Sequence, residues 1–347
     1  MSLEQTMGFS SNTAQAPGGK SGAISQTDAD FSATSDWSRH EASIRAKGSY
    51  YRSIAGDATE LPSASVEGSL RLDLIDGWKG TATGGYSYET DTDTGTVAGK
   101  HVATGSLGIS REAGIWQFAL RGVAERSIYE DGLTSRKDQN NTYYGAVGRI
   151  TYAANPALSP FVEVEAGIRQ HDLTVDANGE RRDSQVQALR GGIAFDQGEK
   201  LNGEISVGWQ SERFEDKNLK DLGGLTLDGE VNWSPVRDTN VRLFASTKFD
   251  GSSTAGQNGS IVTTAGGEVN KAVNDRLELN AGISAEHSRF DDGTASETVY
   301  TASGGFRYWL NRYMALTGTV EREWLSSDDK AKEYEATSVR AGVRFKR

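Results

Sequence analysis

Apolar and polar side chains alternate along most of this chain. In 66–74, Val66, Gly68, Leu70, Leu72 and Leu74 share one face, while Glu67, Ser69, Arg71 and Asp73 share the other. In 116–125, Trp116, Phe118, Leu120, Gly122 and Ala124 oppose Gln117, Ala119, Arg121, Val123 and Glu125. The same split recurs at 161–169, at 225–233 and at the end, where Val339, Ala341, Val343 and Phe345 face away from Arg340, Gly342, Arg344 and Lys346. Successive side chains of a strand point to opposite faces, so each segment has one greasy and one wet side. The segments run about 10–13 residues, enough for a tilted strand to cross a hydrocarbon layer. Ordinary soluble strands are roughly half as long.

Compact breaks interrupt the alternation about every forty residues. They fall near Asp36-Trp37, Asp76-Gly77-Trp78, Glu112-Ala113-Gly114, Ala154-Asn155-Pro156, Asp196-Gln197-Gly198, Ser234-Pro235-Val236, Ala272-Val273-Asn274 and Asn311-Arg312. Between consecutive breaks lies a longer polar stretch, such as Glu89 to Asp93 or Asp131 to Asn141. Short turn, long strand, long polar loop and long strand is the grammar of a closed antiparallel outer-membrane β-barrel. The pattern predicts ascending strands near 3–11, 39–52, 79–89, 115–127, 160–171, 201–213, 240–250, 275–288 and 312–325. Descending partners are predicted near 23–36, 63–75, 101–111, 142–153, 184–195, 222–233, 259–270, 297–310 and 335–346. The total is about 18 strands in one domain over 1–347, with 16 if the first two, poor in apolar residues, do not form. A β-propeller also repeats near forty residues, but needs four short strands per repeat.

Aromatic residues sharpen the prediction. Trp37, Trp78, Trp116, Trp233 and Trp309 lie within a few residues of short turns, and Trp324 lies toward the long loops. Tyr50, Tyr86, Tyr88, Tyr129, Tyr143, Phe214, Phe249, Phe290 and Tyr300 gather with it. Two levels of rings at opposite strand ends match the girdles of a membrane interface. Arg322 breaks the pattern on its apolar face, at an end where it could snorkel to headgroups.

Composition narrows the function more than the fold. The chain is 36% hydrophobic, its mean hydropathy is -0.56, and no run approaches the roughly 18 apolar residues of a membrane helix. Spanning strands keep the mean polar, so a barrel stays open. A net charge of -11 argues against nucleic acid as a partner, since phosphate binding needs a basic face. Met1-Ser2-Leu3-Glu4 opens on strand-like sequence, without the basic start and apolar core of an export signal.

Candidate chemistry is sparse. His40, His101, His171 and His287 are the four histidines, and no Ser–His–acid set follows from their spacing. No catalytic residue, cofactor or metal is predicted. Asp91 to Gly95 and Asp176 to Gly179 faintly resemble calcium loops but lack the acid at the twelfth position. Asn140-Asn141-Thr142 and Asn258-Gly259-Ser260 match a glycosylation pattern that means little outside a eukaryotic secretory pathway. What remains is the inward face. Alternation places Arg45, Lys47, Arg71, Arg121, Arg169, Arg190, Arg242, Lys248, Arg340 and Arg344 there, with Glu67, Asp73, Glu125, Glu163, Glu165, Glu204, Asp228, Glu230, Glu278 and Glu286. A ring of about 18 strands encloses more space than side chains fill. Mixed signs in near balance argue against strong ion selectivity, which needs a ring of one sign.

Ser35-Asp36-Trp37-Ser38-Arg39-His40, followed by the alternation of Val66 to Leu74, resembles the β-barrel porin type 2 family of Gram-negative outer-membrane proteins. Leu3 to Asn12 and Ala16-Pro17-Gly18-Gly19-Lys20 look like that family's first hairpin and its loop. The resemblance implies an outer-membrane barrel, and some relatives are associated with exopolysaccharide export. Lipid, lipopolysaccharide and, for an accessory export role, periplasmic export components or extracellular polysaccharide are the partners expected. Three readings follow: a passive or partner-gated channel, an accessory barrel for polysaccharide export, and a structural or adhesive barrel with a blocked lumen. The last would act through acidic loops near 90–99, 130–140, 172–183 and 289–298.

Overall fold

A computed structural model describes residues 1–57, 59–93, 96–131, 136–155, 157–176, 179–250, 259–290 and 296–347. Eighteen strands follow one another: β1 (Ser2–Ser10), β2 (Gly22–Thr34), β3 (His40–Ser53), β4 (Glu60–Asp73), β5 (Trp78–Asp93) and β6 (Thr96–Ala113). Next come β7 (Trp116–Tyr129), β8 (Asn141–Tyr152), β9 (Ser159–His171), β10 (Ser184–Asp196), β11 (Leu201–Phe214) and β12 (Leu222–Trp233). The ring ends with β13 (Thr239–Asp250), β14 (Ser260–Ala272), β15 (Leu277–Phe290), β16 (Ser296–Trp309), β17 (Met314–Ser327) and β18 (Tyr334–Lys346). Each strand pairs antiparallel with its sequence neighbours, and β1 pairs with both β2 and β18. The result is a closed 18-stranded barrel in which every strand has a partner on both sides, which removes the usual template for strand addition.

The predicted strands all form, including the first two, so the count is 18 rather than 16. Their ends move by a few residues, and one shift is informative. The Thr/Asp run after Glu89 continues as ladder, with Glu89 opposite Lys100 and Asp93 opposite Thr96. The predicted loop near 90–99 is therefore mostly a two-stranded ribbon, because β-branched threonines suit paired backbone. Thr94 and Gly95, Ala177 and Asn178 of the two calcium-like sequences lie outside the described residues, as do Asn258 and parts of the acidic loops near 130–140 and 289–298.

Turn chemistry explains the short connections. Asp76 and Gly77 both take positive φ, 57° and 75°, the twist that a tight hairpin requires. At the closing seam the backbones of β1 and β18 come too close for a side chain on either side. A methyl group on Gly8 would meet the Val339 carbonyl, and one on Gly342 the Gln5 carbonyl.

Exposure inverts the soluble-protein rule. Leu107 is 72% exposed, and Leu225 and Ile283 are each 69% exposed. With Leu120, Val162, Val164, Leu189 and Val207 they form an apolar band around the outside. A surface this greasy is what a lipid-facing wall presents. The only cluster of buried apolar side chains among the described residues is small: Leu222, Phe249 and Ile261, with Phe214 against them.

Candidate functional site: the inner wall

Directly opposed residues of an antiparallel ladder share a face, so the register fixes which side chains line the bore. Arg149, Glu163 and Arg190 stand in one row across β8, β9 and β10. Val147, Glu165 and Ala188 form the next row. The outward positions between them are Val162, Val164, Ile168 and Leu189, all exposed.

On this side of the bore the charges are bound to one another. Arg190 Nη1 donates to Glu165 at 2.8 Å and Glu163 at 3.2 Å, and its Nη2 donates to Gln210 at 3.1 Å. Asp228 lies 3.7 Å from Arg190 Nε. Arg149 holds both carboxylate oxygens of Glu204, at 3.1 and 2.8 Å, and stacks 3.5 Å above the Phe161 ring. The Tyr143 hydroxyl donates to Glu165 at 2.6 Å. Arg169 Nε donates to Glu212 at 2.9 Å, and the Ser184 hydroxyl donates to the same oxygen. A lattice of guanidinium and carboxylate groups thus runs from β8 to β12. Bidentate Arg–carboxylate contacts of this kind are short and directional.

Two smaller clusters continue around the ring. Arg344 reaches Glu4 at 3.2 Å and Asp30 at 3.6 Å, and Arg340 reaches Glu321 at 3.2 Å. Arg242 joins Glu230 at 2.7 Å and Glu268 at 3.6 Å, and Arg307 joins Glu278 at 2.7 Å.

The wall from β3 to β7 is different. Its bore-facing rows mix hydroxyls with charges: Ser43 and Ser69 share a hydrogen bond of 2.7 Å, as do Thr83 and Ser106. Arg71 pairs with Glu41, both well exposed. Arg45, Lys47, Glu67, Arg121 and Glu125 have no ion-pair partner among the described residues. Arg45 and Glu67 stand directly opposite in the ladder without closing a salt bridge.

One part of the ring leaves the wall. β11 and β12 pair over twelve positions, but β12 and β13 over only five, from Gly229–Ala245 to Trp233–Val241. Beyond that point Thr247 takes over: its N–H donates to the Asp228 carboxylate at 3.1 Å, and its hydroxyl bonds the Leu227 N–H and C=O. Leu243 and Ile283 are exposed on the outer face of β13 and β15, yet Phe249 and Ile261, farther along that same face, are buried against Leu222. Leu222 is on the inner face of β12, in register with Glu212. The upper ends of β13 and β14, to Phe249 and from Ser260, therefore lie inside the bore, across β12. Gly224 makes this possible, since even a methyl group there would sit 3.0 Å from Ile261 Cδ1. Thr247, Lys248 and Phe249 line a cavity of about 490 Å³ with Glu67 and Glu125 of the hydroxyl wall and Glu165 and Arg169 of the lattice.

The aromatic predictions divide. Trp37, Trp116 and Trp233 are exposed, Trp78 lies under Arg111, and Trp324 stacks on Tyr300 with centroids 5.4 Å apart. Trp309 sits differently, opposite buried Ala315, with its indole N–H donating to Glu278 at 2.8 Å. That places it at the rim of the bore. The four histidines lie on separate hairpins; His40 Nδ1 accepts from the Asp73 N–H, and His101 contacts Tyr86 and Glu130. Asp176 of the second calcium-like sequence accepts from Arg182 at 2.9 Å. Just above β9, hydrogen bonds from Arg126 hold the Asp172 carboxyl below the usual carboxylate range.

Sequence reasoning missed Arg149 and Glu212. Strand β8 carries Val147 on its inner face and Gly148 on its outer one, so its amphipathy is weak and hides Arg149. Glu212 was findable by extending the Glu204, Ser206, Gly208, Gln210 row by one step.

Comparisons with solved structures find other barrels at low similarity. The siderophore receptor PirA from Acinetobacter baumannii aligns over 99% of this chain and 80% of its own, with 6% identity and a TM-score of 0.43. A bacterial polysaccharide outer membrane secretin aligns over 100% and 98%, with 12% identity and a TM-score of 0.40. The copper transporter OprC aligns over 99% and 80%, with 9% identity and a TM-score of 0.47. At that level none of them speaks to substrate. No curated protein sequence matches. A family profile matches residues 1–347 throughout, and the chain belongs to the family described as "Putative beta-barrel porin 2".

Proposed function

We propose that this porin-family barrel is a passive outer-membrane channel for small polar solutes. The observation that carries the reading is the inner wall. Cavities of about 880, 490 and 420 Å³ are bordered by charged and hydroxyl side chains, and several of those charges, such as Glu67, Arg121 and Glu125, have no ion-pair partner among the described residues and are left to water. Barrels of 16–18 strands leave room for an aqueous path. Lipid would surround the outer band, with lipopolysaccharide toward the long loops.

Planar-bilayer recording of purified barrel tests it, with heat-modifiable gel migration showing that the sample is folded. Stepwise ohmic conductance is expected. A folded barrel that never conducts overturns the channel reading.

The inward hairpin favours a second reading, a blocked barrel acting through its outer loops; silent bilayers would support that one. Polymer export draws less support from the wall, because the inward rings are engaged. Tyr143 is bound to Glu165, and Phe161 lies beneath Arg149.

A further inference from the structure

We propose that Lys248, carried into the bore by the upper β13–β14 hairpin, is the residue that sets which ions pass. The inference rests on the channel reading and sharpens it. Three observations meet at this position.

First, the hairpin is seated rather than hanging free. Thr247 replaces the lost β12 ladder with three hydrogen bonds to Leu227 and Asp228. Phe249 and Ile261 are each only 8% exposed, packed on Leu222. Second, Lys248 points the other way from that seat. It is opposite Val262 in the β13–β14 ladder, is exposed, and has no ion-pair partner among the described residues. Third, of the other charged groups lining the same cavity, Glu165 and Arg169 are bound in the lattice and Lys100 lies over the Tyr129 ring, whereas Glu67 and Glu125 have no ion-pair partner among the described residues. Most other cations of the bore are neutralised in the lattice or the smaller clusters. An ammonium free of ion pairing, facing carboxylates in the same state beside the infolded strands, gives a locally mixed field in which a single charge shifts the balance.

The physical consequence is a weakly selective pore whose preference Lys248 holds near neutral. Removing its charge leaves the carboxylates dominant and favours cations. A unit charge acting through water at just under a Debye length shifts an ion's energy by roughly 0.4 RT once screening is included. Reversing the charge moves cations and anions in opposite directions by about twice that each, so the cation-to-anion permeability ratio should change roughly fivefold.

The test uses Lys248→Cys, in a chain with no other cysteine, recorded in bilayers under a potassium chloride gradient. An anionic thiol reagent added to the open pore is expected to raise the potassium-to-chloride ratio roughly fivefold over a cationic reagent of the same size. Both states come from one folded protein, so misfolding cannot mimic the result. Arg121→Cys, in the separate cavity toward the short turns, should respond less. A conducting pore whose reversal potential ignores the charge at position 248, or responds equally at 121, overturns this inference and leaves the channel reading intact. A folded barrel without conductance overturns both.

Discussion

The two halves of the inner wall use the same alternation to build opposite surfaces. From β8 to β12 the inner face supplies Arg, Glu, Gln and Tyr between small and apolar residues, and these polar groups bind one another. Arg190 is 16% exposed, with Glu163 and Glu165 each at 14%. From β3 to β7 the same face supplies Ser and Thr, too short to reach across the bore, among charges that pair only locally, as Arg71 does with Glu41 and Lys79 with Glu112, or, like Arg45 and Glu67, have no ion-pair partner among the described residues. One half therefore spends its polarity on rigidity, and the other leaves it available to water and solute. The infolded hairpin crosses the inner face at the end of the rigid half, where the small and apolar residues Leu222 and Gly224 give it a floor. The closed ring makes this division possible, because the backbone hydrogen bonds already hold the strands and the bore-facing residues are free to specialise.

Arg190 is where the rigid half is most easily broken. Arg190→Met removes a cation from between Glu163, Glu165 and Asp228, leaving three carboxylates facing one another. Truncating one partner of a sheltered ion cluster costs roughly 3 kcal/mol, and urea unfolding of the barrel in detergent should show a loss of that size. Adding Glu165→Gln removes one of the orphaned charges and should recover part of the loss. A single substitution that unfolds at the same denaturant concentration as the parent would mean that the lattice is only a solvated lining.

Much of this was legible in the alternation. All 18 strands form within a few residues of their predicted places, because apolar periodicity of two over ten or more residues admits few other folds. The face of Arg190, Glu163 and Glu165 also follows from parity alone. What parity does not carry is distance across the bore. Whether Arg45 meets Glu67, or Arg149 meets Glu204 three strands away, depends on strand tilt and side-chain reach, which no one-dimensional pattern encodes. The hairpin was invisible for a related reason. Phe249 and Ile261 look like ordinary lipid-facing residues, and only the glycine at 224 and the five-residue ladder between β12 and β13 show that their outer face is turned onto another strand. Trp309 at the other rim differs: it shares a face with Arg307, which pairs with Glu278, so alternation alone already turns this girdle-type residue to the bore side.

A gentler change in the same lattice separates charge from shape. Glu212 is 3% exposed and accepts from both Arg169 and Ser184. Glu212→Gln keeps the size but replaces an ion pair with a bond from the guanidinium to a neutral carbonyl, at a cost of roughly 1–2 kcal/mol. Unfolding should report a loss smaller than for Arg190→Met, and conductance should hardly move, since Glu212 is buried beneath its partners. A large drop in conductance without a stability loss would mean that this carboxylate faces the solute path.

The matching change on the open half should do the reverse. Arg45 stands exposed among hydroxyls beside Ser43, Ser69 and Thr83, without an ion-pair partner among the described residues. Arg45→Met forfeits no bonded network, so its effect on stability should stay within about 0.5 kcal/mol. It does remove a charge from the hydrated surface, so the reversal potential in a salt gradient should move toward cations by less than at Lys248, where the bore is narrower. Equal stability losses for Arg45→Met and Arg190→Met would erase the distinction between the two walls. A silent reversal potential would place the conducting path against the lattice instead.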